Sequence, residues 1–502
     1  MLELRTPHEV ADWLRQRVTG QLQTDSRLVQ AGDGFLAWSG ASADGRQFVS
    51  LARAQGAAAC IVEKQGLEDM ELGDSPDIVC YDQLKAHAGW IANAFYASPS
   101  QSLELIAVTG TNGKTSTTWW LAQALNHLTG TDSCAVIGTL GTGVVSALAS
   151  TGMTTPDAVL LQSQLRTFAD QHVRYVAMEA SSIGIEEHRL DGTQVRVAVF
   201  TNLTQDHLDY HGDMVKYGQA KARLFAWSGL QSCVINIEDA FGAELAHTLQ
   251  DKNLDVWTCS RVGGAGRLQA RQVMSAQAGL ALEILEAGQV EPLQTALIGD
   301  FNIDNVLGVI GVLRALGYAL KDAVQACAQL SSVPGRMQMI PAAGAHLPMA
   351  VVDYAHTPDA VAKALQALKS VAQQRQGQLW CVMGCGGDRD PSKRPLMTRA
   401  AEQVADQVVL TSDNPRSEDP VHILEQMSLG MRSPLDARVI VDRALAIEKI
   451  LSEAAPADVV LIAGKGHEDY QDMGGVRHPF SDIDHAQRVL QRLAAQSVEE
   501  SK

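Results

Sequence analysis

The segment Val108-Thr109-Gly110-Thr111-Asn112-Gly113-Lys114-Thr115 lies between an apolar run, Leu103 to Val108, and a helix-like run, Ser116 to His127. A strand that ends in a glycine-rich turn and re-enters a helix commits this part of the chain to an α/β arrangement. Physically the turn is a phosphate cradle. Its glycines admit an anion close to the backbone, while successive N–H groups and the helix N-terminus point at it. Lys114 adds a point charge, and the Thr115 hydroxyl can ligate Mg2+. The strict phosphate-loop pattern has glycine where Val108 stands. The match is therefore partial, and the strand-to-helix setting carries the reading of a nucleoside triphosphate site.

With 502 residues the chain exceeds what one core sustains, and about 100 to 200 residues per domain gives three domains. The formal charge of -17 argues against a general nucleic-acid or anionic-membrane surface, so anionic ligands must be met by local basic groups. The eight cysteines form no C-x-x-C pair and several sit in apolar strand-like runs, as expected of buried reduced thiols. The N-terminus lacks the basic and apolar regions of a signal peptide, and no apolar stretch is long enough to span a bilayer. The expectation is a cytoplasmic protein that is a monomer with small-molecule partners.

Three regions follow from the apolar pattern. Residues 1–100 hold short apolar runs such as Gly34 to Trp38 and Ala57 to Val62, ending in the Ser98-Pro99-Ser100 break, and read as a small α/β domain. Residues 101–335 alternate strand-like runs (Leu103 to Val108, Val173 to Met178, Val195 to Thr201, Cys233 to Ile237) with helical patterns such as Asp213 to Trp227, which predicts a parallel sheet flanked by helices. After the turn at Val333-Pro334-Gly335-Arg336, residues 336–502 give a second alternating series. Its strands fall at Met349 to Asp353, Leu379 to Met383, Val408 to Thr411, Arg438 to Val441 and Val459 to Ala463, with helices near 358–370, 394–405, 442–454 and 484–496. That series predicts a Rossmann-like domain.

Several polar groups fall at strand C-termini, the edge where open parallel sheets bind ligands. Glu179 closes one strand and His207 follows another, so an oxygen and a nitrogen are available for a divalent cation beside the phosphates. Taken singly, a strand-end Glu or a lone His is more often a satisfied buried polar group; the edge that both share with Lys114 tilts the reading to metal. Lys221, on a predicted helix, reads either as a solvated helix lysine or as a desolvated amine that adds carbon dioxide and becomes a metal-ligating carbamate. In the last region Arg416 offers a fork for a carboxylate and Glu468 an acceptor for an ammonium, a pair suited to a zwitterionic amino acid; Arg389 is a second candidate fork. Either could instead serve as a surface ion-pair partner.

The ordered motifs Thr109 to Thr115, Thr154-Thr155-Pro156, Glu179-Ala180-Ser181-Ser182, Thr201 to Gly212, Phe301-Asn302, Asp353 to Asp359, Asp413-Asn414-Pro415-Arg416 and Gly464-Lys465-Gly466-His467-Glu468 resemble those of the Mur ligases over nearly the whole chain, in the branch that adds diaminopimelate. The resemblance implies an ATP- and Mg2+-dependent ligase of peptidoglycan precursor synthesis. It implies that Thr24, Ser26, Thr154, Thr155, Ser181, Glu187 and Arg189 contact a UDP-N-acetylmuramoyl dipeptide. Gly110, Thr111, Asn112, Gly113, Lys114, Thr115, Ser116, Asn302, Arg336, Asp353 and His356 would bind ATP. Thr115, Glu179, His207 and Lys221, the last as N6-carboxylysine, would hold metal, and Lys114, Glu179, His207 and Lys221 would be catalytic. Arg389, Asp413, Asn414, Pro415, Arg416, Gly464 and Glu468 would bind meso-diaminopimelate. Two positions depart from the family. Ile183 stands where a histidine is common, and Glu187 stands where a glutamine often contacts substrate, adding negative charge near an anionic ligand.

The implied chemistry is attack of the terminal carboxylate of UDP-N-acetylmuramoyl-L-Ala-D-Glu on the γ-phosphate of ATP. The resulting acyl phosphate is displaced by the incoming amine. Rival readings are the same fold with L-lysine as the added amino acid, a folylpolyglutamate-synthetase-like ligase, and a nucleotide switch that ligates nothing.

Overall fold

The computed structural model describes residues 1–40, 43–68, 70, 72, 75–262, 265–276, 279–341 and 346–500. The chain is mixed α/β. It carries a small N-terminal α/β module, a central parallel sheet of the phosphate-loop type and a C-terminal Rossmann-like sheet. By packing, it forms two compact units. The first comprises Met1–Leu203, Tyr210–Thr258 and Gly311–Tyr318, and the second Thr204–Asp209, Cys259–Ile310 and Ala319–Lys502. Among the described residues no helix is long and apolar enough to cross a membrane. All eight cysteines are buried and unbridged, as their apolar settings predict.

The first unit holds two sheets. In the N-terminal sheet the strands run Leu2–Leu4, Ile78–Tyr81, Ala59–Glu63, Gly34–Ala37, Leu22–Gln23, all parallel. Its apolar runs are buried on both faces, as in sheets covered by helices. Helix Pro7–Arg15, closed by a Thr6–Glu9 capping box, and helix Leu84–Phe95 pack on one face, and Val159 of helix Ala158–Asp170 joins the same apolar cluster. The central sheet places strand Glu104–Thr109 between Val197–Phe200 on one side and Tyr175–Glu179 on the other. Ser232–Asn236 and Cys134–Gly138 extend it in parallel. The chain leaves Glu104–Thr109 and returns two strands away at Cys134–Gly138, so the order reverses beside the phosphate loop, where such sheets open a crevice at their carboxyl ends. An antiparallel extension, Gly141–Val144 and Ala147–Ala149, borders this sheet.

In the second unit the order is Gln338–Met339, Met349–Asp353, Val459–Ala463, Leu379–Met383, Gln407–Leu410, Arg438–Val439, parallel except for the first pair. Asp353 and Met383 both register with Ala463, so the loops after these three strands leave the sheet at one level. Helices Pro358–Gln374 and Lys393–Glu402 pack on one face, and Arg443–Glu453 and Asp482–Glu500 on the other. The unit also contains an antiparallel set, Leu268–Ala276, Gly279–Glu286 and Gln289–Thr295, with a bulge between Arg271 and Met274.

Candidate functional site

Strand Glu104–Thr109 delivers the glycine-rich turn, and helix Lys114–Thr129 begins directly after Gly113. Gly110 has φ +148°, and a Cβ there would lie 1.8 Å from Thr201 Oγ1, so only glycine lets the turn pass under the neighbouring strand end. The turn is held from the side. Thr201 Oγ1 donates to Asn112 O at 2.6 Å, Asn202 Nδ2 donates to the same oxygen at 3.1 Å, and Asn112 N–H donates to Asn202 Oδ1 at 3.0 Å. Thr111 Oγ1 meets Tyr217 Oη at 3.1 Å.

Two ammonium groups meet inside this loop. Lys114 Nζ donates to Gly110 O at 2.9 Å and Thr111 O at 2.8 Å, and Lys221 Nζ donates to Gly110 O at 2.8 Å. Lys221 is 1% exposed and lies over the Tyr217 ring, 4.3 Å from its centroid, so the solvated-lysine alternative is excluded. On the other side Thr115 Oγ1 donates to Glu179 Oε1 at 3.0 Å, and that oxygen also accepts Thr139 N–H at 2.8 Å. Glu179 is 1% exposed. Ser116 is buried in the first helical turn. A hydroxyl and a carboxylate oxygen thus stand together beside the phosphate loop, a hard-oxygen pair of the kind Mg2+ takes with substrate phosphates. Among the described residues no group of three or more His, Cys, Asp and Glu side chains could by itself hold a metal ion.

The same strand edge gathers several of the residues expected to meet the UDP-linked substrate. Thr155 Oγ1 donates to Glu179 O at 2.7 Å, and Ser181 N–H donates to Thr155 Oγ1 at 3.1 Å. Ser181 caps the short helix Ser182–Glu186 by accepting Gly184 N–H, and Thr154 Oγ1 pairs with Thr139 Oγ1 at 3.0 Å. Arg189 Nη1 donates to Thr155 O at 2.9 Å. Glu187 forms an ion pair with Lys85 and accepts Tyr210 Oη–H at 2.5 Å. Burial raises the Glu187 carboxyl, but these two donors hold it below its ordinary value. Burial pushes the Asp157 carboxyl up, with the Leu160 and Val159 N–H groups and Thr24 among those pulling it back, and Ser26 is buried in a turn capped by Asp25.

His207 belongs to the second unit, in its 204–209 segment, with φ +51°. Its imidazole lies 3.5 Å from Asp206, and Asp206 also accepts from Lys393 Nζ at 2.8 Å. Burial works against the Asp206 anion, but His207, Lys393 and His356 hold its carboxyl at about 2. Asn302 is buried, donating to Ile298 O at 2.7 Å and accepting from Asn305. The Arg336 guanidinium stacks over the Tyr354 ring at 4.4 Å, and His356 Nδ1 meets Tyr354 O at 2.8 Å. Asp353 accepts Met337 N–H at 2.7 Å; burial pushes its carboxyl up against the pull of Arg336. His467 lies against Tyr354, and burial with Arg336 and Lys465 nearby pushes its imidazole down to about 3, leaving it neutral at physiological pH.

At the carboxyl edge of the second unit's sheet, the loops after Leu379–Met383, Gln407–Leu410 and Val459–Ala463 are tied to one another. Asn414 Nδ2 donates to Glu468 Oε2 at 2.8 Å, and Lys465 Nζ donates to both Asn414 Oδ1 and Glu468 Oε2 at 3.0 Å. Gly464, φ +118°, leaves room for Asp413, since a Cβ there would lie 2.4 Å from Asp413 Oδ2. Pro415 is buried, Arg416 Nη1 donates to Gly387 O at 2.5 Å, and Arg389 is exposed on the 386–390 loop.

Sequence reasoning missed the supports beneath these groups. Arg394 is 2% exposed and bonds Glu418, Gln426 and Gly386 O, fixing the loop that carries Arg389. Arg443 pairs with Asp482 at 2.7 Å, both fully buried, and also bonds Ser412 O and Ala463 O. Lys465, fully buried, was visible only as part of a glycine-lysine-glycine run.

Three family models match the chain: Mur ligase family, catalytic domain, over 20–96; Mur ligase middle domain over 108–313; and Mur ligase, glutamate ligase domain, over 335–466. A UDP-N-acetylmuramoyl-L-alanyl-D-glutamate--2,6-diaminopimelate ligase of Acidovorax sp. (strain JS42) is 56% identical over 495 residues, covering 97% of this chain and 98% of its own. The ligase of the same name from Janthinobacterium sp. (strain Marseille) is 46% identical over 494 residues, covering 96% of each. A solved structure of a UDP-N-acetylmuramoyl-L-alanyl-D-glutamate--2,6-diaminopimelate ligase superposes with TM-score 0.65 at 36% identity, covering 94% of this chain and 95% of that one. With relatives matched from end to end at such identity, the chain belongs to the Mur ligase family.

Proposed function

We propose that this protein is an ATP-dependent ligase that joins meso-diaminopimelate to the D-Glu carboxyl of UDP-N-acetylmuramoyl-L-Ala-D-Glu. The observation that carries the reading is the phosphate loop with two lysines on one carbonyl and the Thr115–Glu179 oxygen pair beside it. End-to-end identity with relatives named for that ligation supports the choice of substrates. Residues 1–100 bind the UDP-substrate, 101–335 bind ATP and 336–502 bind the amino acid. The enzyme works as a monomer on small molecules in the cytoplasm.

The substrate carboxylate oxygen attacks the γ-phosphorus of ATP. A carboxyl–phosphorus bond forms, the bond to the bridging oxygen of ADP breaks, and a poor leaving group becomes a good one. The amine then attacks the acyl carbon, a tetrahedral adduct collapses, and inorganic phosphate departs as the amide forms. Two anions must approach each other in the first step, so the charge on Lys114 and the loop N–H groups carry much of the barrier lowering. Thr115 and Glu179 fit Mg2+, with His207 as a further ligand and Lys221, carbamylated, as an anionic one; the ion would neutralise charge on the phosphoryl oxygens. Asn302, Arg336, Asp353 and His356 serve the nucleotide. Thr24, Ser26, Thr154, Thr155, Ser181, Glu187 and Arg189 serve the UDP-substrate. Arg416 pairs with the distal carboxylate that lysine lacks, with Arg389, Asp413, Asn414, Pro415, Gly464 and Glu468 around the amino acid.

The test is phosphate release with UDP-N-acetylmuramoyl-L-Ala-D-Glu against a panel of amines. Release that requires both the UDP-substrate and meso-diaminopimelate is expected. Equal rates with lysine overturn the amino-acid assignment, and release without any amine overturns the ligase.

A further inference from the structure

Glu187 puts a carboxylate among groups that, on the reading above, receive a ligand bearing a diphosphate and a carboxylate. A lone carboxylate there would repel it. The structure gives Glu187 two partners from outside its own segment. Lys85, the second residue of helix Leu84–Phe95 in the N-terminal module, forms the ion pair, and Tyr210 donates its hydroxyl at 2.5 Å. The pair is half-buried, with side-chain exposures of 42% for Lys85 and 27% for Glu187. The next residue after Tyr210, His211, meets Ser182 Oγ at 2.9 Å, so the short helix Ser182–Glu186 is tied at its start by His211 and just beyond its end by Tyr210. Two residues past Glu187, Arg189 holds the Thr155 carbonyl. Lys85 therefore neutralises a charge on the segment that carries Ser181 and Arg189, and links that segment to the module carrying Thr24 and Ser26.

We infer that Lys85 is a positioning residue for the UDP-linked substrate: with Tyr210 it converts Glu187 from a repelling charge into a fixed acceptor that joins the two halves of the substrate site. The inference rests on the ligase reading.

The test is a mutant cycle on the full chain, with kcat and KM for the UDP-substrate and for ATP measured in K85M, K85R, E187Q and K85M/E187Q. K85M leaves Glu187 charged with only the Tyr210 hydroxyl against it, and should raise KM for the UDP-substrate about tenfold while shifting kcat and KM for ATP by less than about twofold. K85R, which keeps the charge, should recover most of that loss. Introduced into E187Q, the K85M change should raise KM by no more than about threefold, because no carboxylate is left exposed. An equal effect of K85M in both backgrounds, or none in either, overturns the inference while leaving the ligase reading intact. A parent protein that releases no phosphate with the UDP-substrate and diaminopimelate overturns both. Melting curves accompany every variant, and the comparison of E187Q with K85M/E187Q reads the interaction even where K85M alone is unstable.

Discussion

Lys114 and Lys221 donate to one and the same oxygen, the carbonyl of Gly110, at 2.9 and 2.8 Å. Two ammonium groups on one acceptor repel each other, and Lys221 is also removed from water. The neutral form of such an amine is the one that reacts with carbon dioxide. Conversion of Lys221 to a carbamate would replace that repulsion with attraction between the carbamate and Lys114.

Lys221→Ala should therefore lower the rate of phosphate release about 10²- to 10³-fold. Depleting dissolved carbon dioxide should slow the parent enzyme, and bicarbonate should restore it. A rate indifferent to bicarbonate, with an unmodified lysine found by mass spectrometry of the intact protein, would show that the free amine is the working form.

Lys114→Ala should cost at least about 10²-fold in ADP formation, because a fixed cation beside the transferring phosphoryl group acts most strongly in the transition state. Steady-state kinetics should place the loss mainly in kcat. A change confined to KM for ATP would mean that Lys114 only binds nucleotide.

Asp206 gives a pH signature. Its carboxyl is held at about 2 by His207, Lys393 and His356 against the cost of burial, below the value near 4 of an unfolded chain. Its contribution to stability is thus complete above about pH 4 and disappears as pH falls towards about 2. Asp206→Asn should lower the melting temperature at neutral pH, by an amount corresponding to on the order of 2 kcal/mol. The gap from the parent protein should narrow as pH drops through that window, and a gap independent of pH would rule out the ionic origin.

Arg416 should control the choice of amine. Arg416→Ala is expected to lower kcat/KM for diaminopimelate at least about thirtyfold and to narrow its preference over lysine, while Arg416→Lys should rescue little, since an ammonium cannot reproduce the planar fork. The competition experiment with both amines reads this directly. An unchanged preference would move recognition of the distal carboxylate to another residue, Arg389 being the nearest candidate on the 386–390 loop.

Much of this architecture is legible in the chain because parallel strands buried on both faces read as continuous apolar runs. Met349–Asp353, Leu379–Met383 and Val459–Ala463 fall where their runs begin and end. The strands Leu268–Ala276, Gly279–Glu286 and Gln289–Thr295 did not declare themselves. Gly279–Glu286 alternates buried and half-buried positions, and Gln289–Thr295 is largely exposed and carries Pro292. Helix Lys114–Thr129 starts two residues before its apolar pattern, because the phosphate loop and not a polar cap sets its first turn. At the site, the motifs located the loops but not what holds them. Burial of Lys221 depends on a carbonyl 111 positions away, and the Arg443–Asp482 pair spans 39 positions. Such contacts are made by the fold and leave no local pattern.

On the proposed function, a carboxyl group is activated by phosphorylation before an amine displaces it. The most direct measurement follows heavy oxygen placed in the D-Glu side-chain carboxyl of UDP-N-acetylmuramoyl-L-Ala-D-Glu through one turnover with ATP and diaminopimelate. One labelled oxygen should appear in each inorganic phosphate released. Phosphate that carries no label would contradict the acyl-phosphate route.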